Sequence, residues 1–213
     1  MVPALPLKPQ YGPTLGTLLA PRWRAARRVT RAVVILAGVG LLVLAAGVVL
    51  TLLDSTYSHG GRVPFSFKYK GLYLTTPNPG GYVKVARGAG AQQEDSYAVA
   101  PLVVAPYKGS VTGALPLAAV FYTHTLAGRF ADFRIEGEGK TRISSSLQGY
   151  QVLYSALVAG RKMYGRDVML LPTKQGAREG VVIEMLSTEE ATPSAPVGNS
   201  GVLETPLKTF SFG

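Results

Sequence analysis

The sequence predicts an α+β protein in which one N-terminal transmembrane helix is followed by an antiparallel sheet packed with one main helix. Residues 32–53 form an unbroken apolar run without a charged residue. Several later segments alternate apolar and polar residues at the period of a β-strand, and residues 117–132 follow helical spacing. The predicted units are a tail at 1–31, a transmembrane helix at 32–53, a tether at 54–62 and a folded domain at 63–213.

The composition indicates that one segment is solvated by something other than water. Of the 213 residues, 47% are hydrophobic and 16% are charged, whereas about 25% charged is usual in a soluble protein. The chain contains no cysteine, which excludes disulfide bonds, thiolate-zinc sites and cysteine nucleophiles. A folded domain outside the cytoplasm must therefore be stabilised by its own hydrophobic core.

The tail at 1–31 is basic and rich in proline. Its prolines are too frequent for a packed fold, so we predict that most of it is disordered. It has no acidic residue and carries more than half of the formal net charge of +10. The folded domain is then only mildly basic, and we predict no nucleic-acid partner.

Residues 32–53 are long enough to cross a bilayer as a helix. At about 1.5 Å per residue the run spans about 33 Å, against a hydrocarbon core of about 30 Å. Positive charge stays on the cytoplasmic side, so the N-terminus is predicted inside and the folded domain outside, with the lipid bilayer as a partner. The residues predicted to set this topology at the membrane interface are Arg22, Trp23, Arg24, Arg27, Arg28 and Arg31.

Two other interpretations of this run are a cleaved signal peptide and a buried helix of a soluble protein. The apolar part of a signal peptide spans about 7–15 residues, and this run is longer. No small-x-small cleavage site follows it, and Asp54 is the first charge after it. A buried helix of this length would normally have a polar face. We therefore favour an uncleaved signal-anchor.

The folded domain is predicted to contain several strands joined by short connections, which favour antiparallel pairing. Residues 54–62 precede them as a polar tether with a glycine pair, in which His59 is expected to be a solvated linker residue. Pro101 interrupts one strand and indicates an edge or a bulge. The predicted strands are 65–69, 72–74, 82–87, 96–105, 141–143, 150–159, 164–171 and 180–186.

One main helix is predicted at 117–132, with Pro116 at its first turn, where proline is tolerated. Val120, Phe121, Ala127 and Ala131 recur at helical spacing and are expected to form its buried face. After the last strand, residues 189–200 are predicted to be a loop rich in proline and serine. Residues 201–212 are predicted to add a short helix or strand.

The sequence contains no recognisable catalytic or metal-binding cluster. The chain has two histidines, and neither has an H-x-x-x-H partner, so we predict no metal and no cofactor. Glu136 and Glu138 flank a glycine and are expected to be surface charges in a loop. His124 on the main helix is expected to be partly buried and hydrogen-bonded, and it marks a tentative ligand cleft between sheet and helix.

The segments 149–154 (GYQVLY), 160–167 (GRKMYGRD), 180–184 (GVVIE) and 207–212 (LKTFSF) resemble the PsbP/Mog1-like α+β sandwich domain. This domain recurs in bacterial cell-envelope proteins, and the resemblance covers the folded domain. The first half departs from it, since residues 78–82 only loosely match the usual turn. The resemblance implies an accessory or binding domain without catalytic residues of its own, and it assigns no site residue.

The leading functional prediction is a membrane-anchored, non-enzymatic envelope protein whose external domain binds a protein partner. Tyrosines at strand positions support this prediction, because tyrosine is favoured at interfaces. The alternative is small-ligand or lipid binding in a cleft between sheet and helix near His124. A third hypothesis, a hydrolase, requires a serine and an acid arranged around His124.

Overall fold

The computed structural model describes residues 33, 35–41, 54–106, 109–144, 147–172 and 177–213. The chain divides into two compact units, Met1–Leu50 and Thr51–Gly213. In the first unit, residues 33 and 35–41 are helical. The predicted tail at 1–31 and most of the predicted anchor at 32–53 lie outside the described residues. Within these described ranges, no helix combines the length and the apolar character needed to span a bilayer.

The second unit contains ten strands and two α-helices among its described residues. Two 3-10 turns, Gly90–Gln92 and Gly201–Leu203, complete it. In chain order the elements are β1 (Ser55–His59), β2 (Phe65–Tyr69), β3 (Tyr73–Thr75), β4 (Val83–Arg87), β5 (Asp95–Val103), α1 (Val111–Arg129), β6 (Ala131–Ile143), β7 (Leu147–Val158), β8 (Arg161–Leu170), β9 (Glu179–Ser187), α2 (Glu204–Thr209) and β10 (Ser211–Phe212).

The strands form two antiparallel sheets. The large sheet has seven strands in the order β3-β4-β5-β9-β8-β7-β6, and the small sheet has the order β1-β2-β10. Strands β6 to β9 are a meander, because each pairs with the next along the chain. Ala159 and Gly160 connect β7 and β8 with positive φ angles of 51° and 79°, as a two-residue hairpin requires. The predicted α+β fold with an antiparallel sheet and one main helix is confirmed.

The large sheet is covered on both faces, because successive side chains of a strand point to opposite sides. On one face, the small sheet and α2 enclose an aromatic core that includes Phe65, Phe67, Tyr97 and Phe210. On the other face, α1 packs through Leu115, Ala119 and Leu126. These three side chains lie against Val152, Met169 and Val182 of the sheet.

Residues 54–62 are not the tether that the sequence predicts. They contain β1, which pairs with β2 along its whole length. Tyr57 packs its ring 5.5 Å from that of Phe67. His59 stacks 5.0 Å from Phe65 and lies 4.4 Å from Tyr82, so it is not a solvated linker residue. The aromatic partners in these contacts belong to other segments of the fold, so the polar sequence of residues 54–62 does not predict them.

Helix α1 is longer than predicted at its start and shorter at its end. It spans Val111–Arg129, so Pro116 lies inside the helix rather than at its first position. Proline is the sixth residue of the helix, past its first turn, so the carbonyl group four residues earlier lacks the N–H donor that another residue would supply. The chain enters β6 at Ala131, and Asp132 adopts a positive φ of 48°.

The predicted buried face of α1 is wrong. Val120 and Phe121 are 53% and 66% exposed, and Ala131 belongs to β6. The residues that face the sheet are Ala114, Leu115, Ala119 and Leu126. The first charged residue of the helix is Arg129, so no polar face marks the side that meets solvent. Apolar spacing therefore does not distinguish the two faces.

One further expectation is corrected within the large sheet, and the edge environment predicted at Pro101 is confirmed. Glu136 and Glu138 lie in β6, not in a loop, and Ser155 donates a hydrogen bond to Glu136 Oε1 at 2.7 Å. Strand β5 is central, between β4 and β9. Its pairing with β4 ends at Val99, so Pro101 lies where β5 has a neighbour on one side only. The missing N–H of proline is tolerated for that reason.

Gly165 on β8 makes room for the ring of Tyr154, its partner on β7. A Cβ atom at Gly165 would lie 2.1 Å from that ring, well inside van der Waals contact. Tyr154 is 2% exposed and packs beneath Phe130 and Phe133. The absence of a side chain at Gly165 thus lets the tyrosine lie flat on the sheet.

We expect Gly165→Ala to lower the free energy of unfolding by about 1–3 kcal/mol, because the methyl group displaces a fully packed ring. Thermal unfolding followed by circular dichroism would measure the change. Gly139→Ala is the matched control in β6, since a Cβ atom there would meet nothing within 4 Å. Equal stability of the two variants would contradict this account of Gly165.

Candidate functional site

The residue of the tentative ligand cleft, His124, lies exposed on the outer face of α1. It lines an open cleft of about 470 Å³ between α1 and β6. The expected partly buried, hydrogen-bonded histidine is therefore not observed, but a cleft beside it is. The other lining residues are Val120, Thr123, Ala127, Phe133, Ile135 and Glu138. The six predicted topology residues, Arg22, Trp23, Arg24, Arg27, Arg28 and Arg31, lie outside the described residues.

The outer face of α1 is apolar and exposed. Leu117, Val120 and Phe121 are 58%, 53% and 66% exposed, and no charged residue precedes Arg129 in the helix. Ile135 on β6 extends the apolar surface beyond the cleft and is 52% exposed. A helix at the surface normally carries charged residues on its solvent side. Exposed apolar residues grouped in this way are common at interaction surfaces.

A second cleft lies on the other flank of α1. It has a volume of about 370 Å³ and is walled by residues 101–106 after the middle of β5. Leu117, Phe121 and Tyr122 form the helix side of this cleft. The outer face of α1 is thus a ridge between two depressions, and a partner that binds the ridge can also insert side chains on either side of it.

An ion pair beneath α1 holds the C-terminal end of the helix to the sheet. Arg129 donates two hydrogen bonds to Glu184 of β9, at 2.9 Å to Oε1 and 3.1 Å to Oε2. The Tyr122 hydroxyl donates to Oε1 at 2.8 Å, and the Asn78 amide donates to Oε2 at 3.3 Å. Glu184 therefore has two neutral donors besides the guanidinium. This arrangement fixes the rotation of α1 and keeps Val120 and Phe121 pointing outward.

Asp167 lies next to this ion pair, directly opposite Glu184 in the pairing of β8 with β9. It is completely buried. Tyr154 donates a hydrogen bond to its Oδ1 at 3.3 Å, while Oδ2 has no partner among the described residues. Two carboxyl groups thus lie side by side under the helix, and Arg129 binds one of them, Glu184.

The surroundings drive the pKa values of the two carboxyl groups apart. Burial raises the pKa of Asp167 well above its usual value, and the charge of Glu184 raises it further. Burial also disfavours the charged form of Glu184, but the hydrogen bonds and charge of Arg129, with the bonds from Tyr122 and Asn78, leave its pKa lowered. These shifts favour the ionised form of Glu184 beside Arg129 and the protonated form of Asp167.

A split pair of carboxyl groups is also what acid–base catalysis uses, but access distinguishes the two situations. Asp167 has no exposed surface, and α1 covers it. In this arrangement the two carboxyl groups help to hold helix α1 on the sheet. No serine is among the residues that line the cleft beside His124. Within the described part of the chain, no three histidine, aspartate or glutamate side chains are grouped to hold a metal ion.

On the opposite face of the sheet, Arg166 is 4% exposed and binds only neutral acceptors. Its guanidinium donates to Gln151 Oε1 at 2.9 Å, Asn199 Oδ1 at 2.8 Å and the Val197 carbonyl oxygen at 3.1 Å. Burial lowers the pKa of Arg166 to about 10. Since Val197 and Asn199 belong to the predicted loop at 189–200, Arg166 fixes that loop on the sheet.

Sequence reasoning did not identify Arg129, Asp167 and Glu184 as a site. A signal for one of them was present, because Glu184 is the single charge of the predicted strand 180–186, whereas Asp167 directly follows Arg166 in its strand. A charge in such a segment is buried, and a buried charge needs a partner. Their pairing across β8 and β9 and the position of Arg129 depend on register and helix docking, which the local sequence does not specify.

No model of a protein family matches this chain, and no curated protein matches it in sequence. Similar solved structures include LpqN of Mycobacterium tuberculosis, which is involved in cell envelope biogenesis, with a TM-score of 0.49 and 10% identity over 75% of this chain and 91% of that chain. They also include the Ran-binding protein Mog1p of Saccharomyces cerevisiae, with a TM-score of 0.48 and 9% identity over 75% of this chain and 95% of that chain.

We expect Asp167→Asn to stabilise the protein increasingly as the pH rises above about 4. The raised pKa of Asp167 means that the folded state keeps a proton that the unfolded chain releases. The stabilising contribution of Asp167 is complete at pH values below its pKa in the unfolded chain. It is lost as the pH rises towards its pKa in the folded state. Asparagine resembles the protonated acid and removes that loss.

Urea unfolding of the full chain in detergent, at several pH values between about 4 and 8, would measure this difference. The lowered pKa of Glu184 makes both chains less stable in acid, and this effect largely cancels in the comparison. Asp132→Asn, at the exposed start of β6, controls for the change in net charge. A difference that is constant with pH would contradict a protonated Asp167.

Proposed function

We propose that this chain is a membrane-anchored, non-enzymatic envelope protein whose external domain binds a protein partner through the outer face of α1. The observation that carries the proposal is the exposure of Leu117, Val120 and Phe121 on a helix without a charge before Arg129. Burial of such side chains is worth about 1.5–3 kcal/mol each. A binding surface that contains all three thus has a substantial driving force for association.

The charge distribution favours a protein over a lipid surface as the occupant of this face. Helices that lie on membranes combine an apolar face with lysines and arginines that contact lipid headgroups. Helix α1 has one cation, Arg129, and that guanidinium is bound to Glu184. The outer face therefore has the apolar component of a membrane-surface helix without the basic one.

The anchor is the second part of the proposal. Residues 32–53 cross the bilayer once, the N-terminus is cytoplasmic and the domain at 63–213 is extracytoplasmic. The unbroken apolar run and the arginines before it support this topology. An anchored domain presents α1 to other molecules of the same membrane or envelope.

Small-ligand or lipid binding is the second candidate function. The observation that favours it is the cleft of about 470 Å³ beside His124, whose walls are mainly apolar with a few polar groups. Pockets that bind small molecules have this composition and a volume of about 300–1,000 Å³. This cleft is shallow and open along one side of α1, which suits an extended apolar ligand better than a compact polar one.

We expect a photoreactive amino acid at Phe121, in the full chain within native membranes, to crosslink to one reproducible polypeptide. The ring is 66% exposed at the centre of the outer face, so a bound partner lies within reach of the probe. Leu74 on β3 is the matched control, an exposed apolar residue remote in sequence from α1. Mass spectrometry of the crosslinked product would identify the partner.

The same crosslinking experiment distinguishes protein binding from the binding of a small ligand or lipid. With the probe at Ile135, on the β6 side of the cleft, a mass gain far below that of a polypeptide would favour ligand binding. Crosslinks that are equally frequent at Phe121 and Leu74 would reflect random collision, and they would overturn the proposed protein-binding face.

We expect the full chain to stay in the membrane pellet after washing at high pH, because residues 32–53 are embedded in lipid. Protease added outside the membrane should digest the domain at 63–213 and leave a protected fragment that contains the tail. Release by the alkaline wash would contradict the anchor. Protection of the domain while a known external protein is digested would contradict the orientation.

A further inference from the structure

We propose that an extended, uncharged segment of a different protein, the partner of α1, adds as a further strand to the open edge of β5, in the cleft between residues 101–106 and the helix. This inference rests on the proposed function, because it states how the partner of the same surface is held. It depends on unpaired backbone groups, on the course of the cleft along a strand edge and on the absence of charge in its walls.

Strand β5 has an open edge over its last residues. Its pairing with β9 continues to Val103, whereas its pairing with β4 ends at Val99. Beyond Val99, no described residue pairs with β5 on the β4 side. The position that a longer β4 would occupy is therefore uncovered in the described part of the chain, next to the residues that wall the cleft.

The backbone groups of Val103 face this open edge. Successive residues of a strand direct their N–H and C=O groups to opposite sides. The Val104 N–H donates to the Arg178 carbonyl oxygen on the β9 side at 2.9 Å, so the groups of Val103 point the other way. Val99, which has the same orientation as Val103, accepts a hydrogen bond from the Tyr82 N–H at 2.8 Å on the β4 side.

Pro101 adds a third group to the same edge. It lies two residues before Val103, so its carbonyl group faces the same side, and its nitrogen carries no hydrogen. An added strand can thus bond both backbone groups of Val103 and the carbonyl group of Pro101. A donor and an acceptor side by side are paired by the backbone of another extended chain, whereas a lipid tail leaves them unpaired. These groups therefore select a polypeptide.

The cleft follows the strand edge rather than a face of the sheet. Side chains of a strand alternate between the two faces, so a cleft on one face would contact every second residue. This cleft contacts all of residues 101–106. On its other side it follows one flank of α1 from Ala114 to Thr125. The helix rises about 16 Å over this distance, which is the length of about five residues of an extended chain.

The walls of the cleft contain no charged residue. Glu179, opposite Val103 on β9, is charged, but it is paired with Arg62 at 3.0 Å. A charged side chain in the added segment would lose its hydration without gaining a partner, so an uncharged segment fits. The edge strand β6 differs, because charged residues recur along it and two register shifts interrupt its pairing. Such features discourage the addition of a strand, and β5 has only Pro101 in their place.

The cleft is continuous with the outer face of α1. Leu117 and Phe121 belong to both surfaces. One partner can therefore pair a segment with β5 and cover the outer face, and the two contacts together bury more area than either one. The described strands of this chain are all paired already, so a second copy could offer only a sheet edge covered by its own layers. A free segment of a different protein enters the cleft without that hindrance.

Val103→Pro tests the backbone pairing and leaves the hydrogen bonds of the sheet intact. The Val103 N–H does not bond to β9, and proline is compatible with such edge positions. In the full chain within native membranes, this substitution should lower the yield of the crosslink from Phe121 about three- to tenfold, as expected for the loss of one hydrogen bond. Val103→Thr keeps the N–H group and the branched shape, and it should leave the yield unchanged. Circular dichroism checks that both variants are folded.

The conformation of the bound segment is tested with photoreactive amino acids at Pro101 and, in a second variant, at Ala105. The two positions are about 13 Å apart along β5. The crosslinked sites in the partner, mapped by mass spectrometry, should differ by about four residues for an extended segment and by about nine for a helix. Leu74 on the short edge strand β3 is the control and should crosslink only at background level.

The outcomes separate this inference from the proposed function. A crosslink from Phe121 to another protein that Val103→Pro does not weaken, or sites spaced as in a helix, would retain the protein-binding face and overturn strand addition. A crosslink that maps to this chain, or an adduct of low mass at Ala105, would also overturn it. Capture of no polypeptide from either Phe121 or Ala105 would overturn both.

Discussion

The ion pair between Arg129 and Glu184 is the constraint on which the functional surface of this domain depends. It joins the last residue of α1 to the centre of the large sheet with two short hydrogen bonds. The packing of Leu115, Ala119 and Leu126 buries one side of α1, and a directional contact adds to this constraint on the orientation of the helix. The fork geometry of a guanidinium on a carboxylate provides that direction. Tyr122, about two helical turns earlier, binds the same carboxylate and reinforces the contact.

The neighbouring Asp167 limits how much charge this site holds. Two ionised carboxylates on adjacent strands under one helix would repel each other in a region with little water. Burial and the charge of Glu184 keep Asp167 protonated, so a single negative charge faces a single arginine. The Tyr154 hydroxyl reaches Asp167 because Gly165 allows its ring to lie on the sheet. A glycine, a tyrosine and an acid on two strands thus cooperate in supporting the helix.

The two faces of the large sheet are stabilised by different means. Beneath α1, a charge pair and its donors orient a helix that presents an apolar ridge outward. On the other face, aromatic packing encloses the core, and the buried guanidinium of Arg166 fixes the loop at 189–200 through neutral oxygens. The aromatic side is closed by its own chain. The helix side is where large apolar residues of α1 and β6 remain uncovered, and an interaction is proposed there for that reason.

Local sequence was sufficient for elements that are defined by near neighbours. Alternating residues identified β2, β4 and the meander from β7 to β9, and short turns such as Ala159–Gly160 specified antiparallel pairing. The existence of α1 followed from its spacing. The same local patterns failed where partners are distant in sequence. His59 in a polar segment becomes part of an aromatic stack, and Glu136 and Glu138 belong to a long edge strand rather than to a loop.

What the sequence by itself determined was the fold class, most strand segments and the uncharged character of α1. Only the tertiary structure decided which side of α1 is buried, since a helix without a charge before Arg129 has no polar face to mark it. The register of β8 and β9 placed Asp167 against Glu184, and helix docking brought Arg129 to Glu184. These contacts depend on residues separated by up to 55 positions along the chain. Their geometry follows from the packing of whole elements, which a local pattern does not contain.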